Sequence, residues 1–205
     1  MGRFRTSEKG QALLLTGSKV LQFQLIALVN WAYRLPETTV LTARILQNTA
    51  GAVFLLMALG LMKLSGKPFA AFGLSLRQLP KQLLSGVVLW CTFALVYTLL
   101  QEPPAIPEAL LYTLLSQLLV GAWEESFWRG YVLHTLHDLT GSVLWAIGLS
   151  SLIFALIHMP NYGFHTTTPL IIGAVFAVLH LKHPHLFTIP ALSLTHALLN
   201  AFIMQ

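Results

Sequence analysis

A chain of 205 residues that is 56% hydrophobic and only 9% charged, with a mean hydropathy of +0.71, lies far from the soluble norm of about 25% charged residues, which excludes an ordinary water-soluble domain. Its net charge of +5 would suggest nucleic acid in a soluble protein. Here the basic residues fall in short segments between apolar runs, where the positive-inside bias accounts for them and nucleic acid is excluded as a partner.

The basic start MGRFRTSEKG is followed by a stretch broken at Thr16, Gly17, Ser18 and Lys19, with no small-x-small cleavage site after it. It is read as retained, not as a removed signal peptide, and a first span is expected from about Val20 to Tyr33, with Lys19 and Arg34 snorkelling at its ends. Further spans are expected near Ile45–Leu64, Gln82–Leu100, Glu108–His137, Ser142–His158, Pro169–Leu181 and Leu186–Ile203, at about 20 residues per crossing. Gly66-Lys67-Pro68, Pro103-Pro104, Gly141, Pro160-Asn161-Tyr162-Gly163 and Pro184 mark the joints. The expected fold is an all-α polytopic membrane protein, a bundle of about seven transmembrane helices with its site between the C-terminal four. Residues 1–107 carry three spans and their loops, residues 108–205 carry the rest, and the two halves form a single integrated membrane domain.

Lys and Arg set the orientation. Arg3, Arg5, Lys9 and Lys19 precede the first span, and Lys63, Lys67, Arg77 and Lys81 separate the second and third, whereas the segment from Gln101 to Pro107 has none. The N-terminus is therefore expected inside the cell and the C-terminus outside. The segment from Phe72 to Leu83 reads equally as an interfacial helix or a connecting loop. The single Cys91 excludes an intrachain disulfide and is read as packing. His180, His183 and His185 are read as a polar membrane-edge loop.

Against this background the run WEESFWRG stands out. A charged side chain at mid-bilayer costs roughly 2.5–3.5 kcal/mol, so Glu124, Glu125 and Arg129 together call for a task. On a helix Glu125 and Arg129 are an i,i+4 pair, while Glu124 lies about 100 degrees around the axis and can face a cavity. The next span places Phe154 and His158 one turn apart, and the last places His196 and Asn200 one turn apart. A reversal near Thr140 sets Glu124 within a turn of His158. A reversal near Pro184 puts His196 roughly 18 Å and Asn200 roughly 24 Å from the inner turn, against about 24 Å for Glu124, so all four residues can share one depth.

The ordered motifs E-E-x-x-x-R (Glu124, Glu125, Arg129), F-x-x-x-H (Phe154, His158) and H-x-x-x-N (His196, Asn200) resemble those of the CPBP or Abi family of intramembrane endopeptidases. That family includes the type II CAAX prenyl proteases and bacteriocin-processing or self-immunity proteins. The resemblance spans about Trp123 to Phe202; Trp128 stands where many relatives have Phe. The chain is short for a eukaryotic CAAX enzyme, so the resemblance points to a prokaryotic cell-membrane protein.

The resemblance implies peptide-bond hydrolysis in the membrane, on a peptide or protein substrate that is prenylated, a leader peptide or membrane-anchored. Amide cleavage needs a base for water, donors for the oxyanion and a proton for the leaving amine. Glu124 is assigned as base, His158 as a holder of the same water, and His196 and Asn200 as oxyanion donors. Glu125 and Arg129 support them, and Phe154 lines the cavity. No cofactor is committed. Zinc is the alternative, held by Glu124, His158 and His196, although Asn200 is a poor zinc ligand and no His-Glu-x-x-His helix is present. A catalytically silent scaffold or immunity protein of the same fold, and a transporter, are the rival functions.

Overall fold

The computed structural model describes residues 10, 17, 40–100, 106–107, 109–162 and 167–203, and among these every regular element is helical. The expected first span lies outside the described residues. In chain order the elements are α1 (Val40–Leu64), a 3-10 turn (Phe69–Phe72), α2 (Leu79–Leu100), α3 (Leu110–Glu125), a π-helical stretch (Ser126–Val132), α4 (Leu133–Thr140), α5 (Val143–Tyr162), α6 (Thr167–Lys182) and α7 (Ile189–Phe202).

Two helical stretches, Arg44–Leu64 and Leu79–Leu100, are long and apolar enough to cross a membrane, whereas the apolar stretches Val143–His158, Thr167–Lys182 and Ile189–Phe202 are shorter. The all-helical architecture is thus present, but among the described residues two helices, against about seven expected spans, meet the length and hydropathy of a span on their own. The 14 residues of α7 cover about 21 Å at 1.5 Å each. That helix is held between α2 and α3, so it presents much of its surface to protein.

Close approach of α7 to its neighbours depends on two glycines. A Cβ at Gly86 in α2 would stand 2.5 Å from the Ala191 carbonyl oxygen, and one at Gly121 in α3 would stand 2.5 Å from that of Ser193. Small residues are what allow backbones to touch when lipid removes the hydrophobic drive between helices. The Thr195 hydroxyl adds a bond from α7 to the Gly86 carbonyl at 2.9 Å.

Two apolar clusters flank this clamp. Phe72, Phe127, Trp128, Tyr131 and Phe154 pack where α1, the π-helical stretch and α5 meet, and Ile172, Phe176, Leu192 and Leu199 pack between α6 and α7. The reversal into α5 is made by Gly141, whose φ of +64° is the left-handed conformation favoured by glycine after a helix C-terminus. It lets the Gly141 N–H return to the His137 carbonyl at 2.9 Å.

Several sequence expectations change. Cys91 is exposed on α2, not packed, because α2 buries only the side that meets α7. The segment from Phe72 to Leu83 is not one interfacial helix: Phe72 closes the 3-10 turn as a buried residue, and α2 starts at Leu79. His180 does not lie in a polar edge loop. It is buried, with Nδ1 donating to the Phe187 carbonyl at 2.9 Å and Nε2 meeting His134 Nε2 at 3.3 Å. His183 and His185 remain exposed. The α5 helix also runs beyond His158 to Tyr162, through the expected breaker Pro160.

Candidate active site

Glu124 and Glu125 end α3, and Arg129 lies in the π-helical stretch that follows. Here the chain departs from the regular helix assumed from sequence. All seven residues from Ser126 to Val132 are buried, and a Cβ at Gly130 would meet Met62 Cε at 2.2 Å. A π turn, widened by one residue, is a feature that recurs at functional sites.

The ion pair survives this widening, with Arg129 Nη1 3.1 Å from Glu125 Oε1 and both side chains almost fully enclosed. Aromatic faces complete the enclosure: the guanidinium carbon lies 4.5 Å from the Phe154 ring centre and 5.3 Å from that of Phe176. Such contacts strengthen when the cation is removed from water. Phe154 therefore does more than line the cavity, since its ring covers the guanidinium and meets Trp128 edge-on at 5.6 Å.

His196 Nδ1 stands 2.7 Å from Glu125 Oε1, the same oxygen that accepts from Arg129. That oxygen already serves as an acceptor, so Nδ1 is the donor. On α5, His158 Nδ1 donates to the Phe154 carbonyl at 2.7 Å. Both rings thereby turn Nε2 toward Glu124. Its Oε2 lies 3.6 Å from His196 Nε2 and 3.8 Å from His158 Nε2, and it has no hydrogen-bond partner among the described residues. In a neutral imidazole whose Nδ1 carries the hydrogen, Nε2 is an acceptor.

Glu124, Phe154, His158, His196 and Asn200 line one cavity of about 240 Å³. Glu125 and Arg129 stand behind it. The structure thus brings residues of α3, α5 and α7 together around one cavity. Sequence reasoning missed Gln117 and Gln47, which line the same cavity. Gln117 Oε1 accepts from Asn200 Nδ2 at 3.0 Å. Its position seven residues before Glu124, two helical turns along the same face, was an available signal. Gln47 on α1 had none, because which helix closes a cavity is not a local property.

Glu124, His158 and His196 have the donor types of a zinc site with two histidines and one glutamate. Among the described residues, however, no group of three His, Cys, Asp or Glu side chains is arranged to hold a metal ion.

Residues 106–202 match the family model described as type II CAAX prenyl endopeptidase Rce1-like, in agreement with the resemblance carried by the three motifs. No curated protein and no solved structure matches the chain at a significant level.

Proposed function

We propose that the chain is an intramembrane endopeptidase in which Glu124 activates water against a peptide carbonyl. The observation that carries this reading is the convergence of Glu124, His158, His196 and Asn200 on one cavity, with Nε2 atoms from α5 and α7 3.8 and 3.6 Å from Glu124 Oε2. A water in that cavity would donate one hydrogen to the Glu124 carboxylate and the other to an imidazole, leaving its lone pair directed at the substrate.

Attack forms the carbon–oxygen bond while Glu124 takes the proton. The oxyanion is met by the Asn200 carboxamide N–H. Collapse breaks the carbon–nitrogen bond, and Glu124 returns the proton to the leaving amine. The products are one acid and one amine, with no net change at the protein. His196 donates to the oxyanion only when its ring carries both protons, because Nδ1–H is committed to Glu125; in the neutral ring it holds water instead.

The family description brings a prenylated substrate of the Cys-aliphatic-aliphatic-X type within this proposal. The membrane reading is supported by the apolar composition and by the two helices able to span. It includes a prokaryotic cell membrane, an inside N-terminus and an outside C-terminus.

The test is hydrolysis of a farnesylated peptide by the purified full chain in phospholipid vesicles, alongside Glu124→Gln. Cleavage by the parent and none by a folded Glu124→Gln variant is expected, with activity retained in chelator. Undiminished cleavage by Glu124→Gln would remove Glu124 as base. Chelator inactivation reversed by zinc would replace this mechanism with a metal-bound one.

A further inference from the structure

We infer that Gln117 is a positioning residue: it sets which edge of the Asn200 carboxamide faces the reacting carbonyl. The inference rests on the proteolytic reading above. A carboxamide has a donor edge and an acceptor edge related by a half-turn, and the two have opposite effects on a developing oxyanion. Asn200 is the last polar residue of α7, and its amide needs a partner to choose between the two orientations.

Gln117 supplies that partner from the facing helix. Its Oε1 accepts from Asn200 Nδ2 at 3.0 Å, and both residues border the cavity that holds Glu124, His158 and His196. With one Nδ2 hydrogen on Gln117, the second hydrogen of the same nitrogen is left for the substrate. Turning the amide over would place Asn200 Oδ1 against Gln117 Oε1, acceptor against acceptor. The pair also ties α3 to α7 one turn beyond His196, so the base and the oxyanion donor are held by the same two helices. Gln117 touches no reacting atom in this scheme and acts through Asn200.

The experiment measures kcat and KM of the full chain on the farnesylated peptide for Gln117→Met, Gln117→Glu, Asn200→Ala and the double variant Gln117→Met/Asn200→Ala. Gln117→Leu takes the place of Gln117→Met if thermal unfolding shows the latter to be misfolded. Removing the acceptor is expected to lower kcat about 10- to 100-fold, a fraction of what loss of an oxyanion donor costs, with KM within about twofold. Gln117→Glu, which offers only acceptors, should recover most of that loss. In the Asn200→Ala background Gln117→Met should add little, since the two residues act as one unit.

Multiplicative losses in the double variant, or a loss carried by KM, would overturn the inference. So would a Gln117→Glu variant as impaired as Gln117→Met, because it would show the amide pair in the opposite orientation. Cleavage that depends on Glu124 but not on Gln117 refutes this inference alone, whereas a parent chain that does not cleave refutes it together with the proteolytic reading.

Discussion

His196 donates its Nδ1–H to Glu125 across 2.7 Å, from α7 to the end of α3. This bond determines what the other ring nitrogen can do. It holds Nε2 toward Glu124 and leaves it an acceptor in the neutral ring. Glu125 is thus a rotamer and tautomer lock, and Arg129 bonds the same carboxylate oxygen.

Glu125→Gln keeps an oxygen for the His196 N–H but leaves Arg129 without its counter-charge, so it should unfold at a lower temperature and hydrolyse peptide about 10- to 100-fold more slowly, the loss expected when a histidine's orienting carboxylate is removed. Steady-state kinetics on the farnesylated peptide read this directly. A kcat equal to that of the parent would show that the His196 ring is held by packing alone.

Arg129→Met leaves the buried Glu125 carboxylate without its cation. Because both side chains are almost fully enclosed, a loss of about 3–5 kcal/mol is expected. It would appear as a lowered unfolding temperature in detergent. The double variant Glu125→Gln/Arg129→Met, which removes both charges, should recover part of the loss; equal unfolding temperatures for parent and Arg129→Met would contradict the pairing.

Gly121→Val places methyl groups beyond a Cβ that already lies 2.5 Å from the Ser193 carbonyl oxygen, so α7 must shift away from α3. Hydrolysis should be lost together with stability, by about 1–3 kcal/mol or more. Gly60→Ala is the control, because a Cβ there meets nothing within 4 Å. The prediction fails if the two variants behave alike in thermal unfolding and activity assays.

Gly73→Ala combines two penalties: a φ of +76° and a Cβ 2.1 Å from His180 Cε1. About 1–3 kcal/mol is expected from the backbone alone. The Gly73 carbonyl also accepts from the Ile189 N–H at 3.0 Å, so the start of α7 should loosen as well. Hydrogen exchange that stays unchanged at Ile189 in Gly73→Ala would refute this coupling.

Local relationships were readable from sequence because helix periodicity is a property of the chain itself. The Glu125–Arg129 pair stays within bonding reach even where the helix widens, and the apolar runs placed the described helices near where they occur. The reversal at Thr140 and Gly141 followed from a glycine able to take positive φ. From these, the approach of Glu124 to His158 could be computed as an antiparallel register before any coordinates were known.

Tertiary structure alone decided how each helix is rotated, how close it comes and what covers it. The bond from His196 to Glu125, the amide pair of Gln117 and Asn200, and the aromatic roof over Arg129 each join residues far apart in sequence, and the sub-ångström position of a neighbour controls them. The π-helical widening after Glu125 is of the same kind, since it arises where the buried stretch from Ser126 to Val132 must fit against α1 and the 3-10 turn. Composition and spacing thus determined that this apolar chain carries an E-E-x-x-x-R motif on a helix, with His158 and His196 on later helices. Spacing already set Glu124 apart from the Glu125–Arg129 pair, whereas packing between helices decided which histidine Glu125 orients and how near the two Nε2 atoms come to Glu124, because each depends on distances that no periodicity encodes.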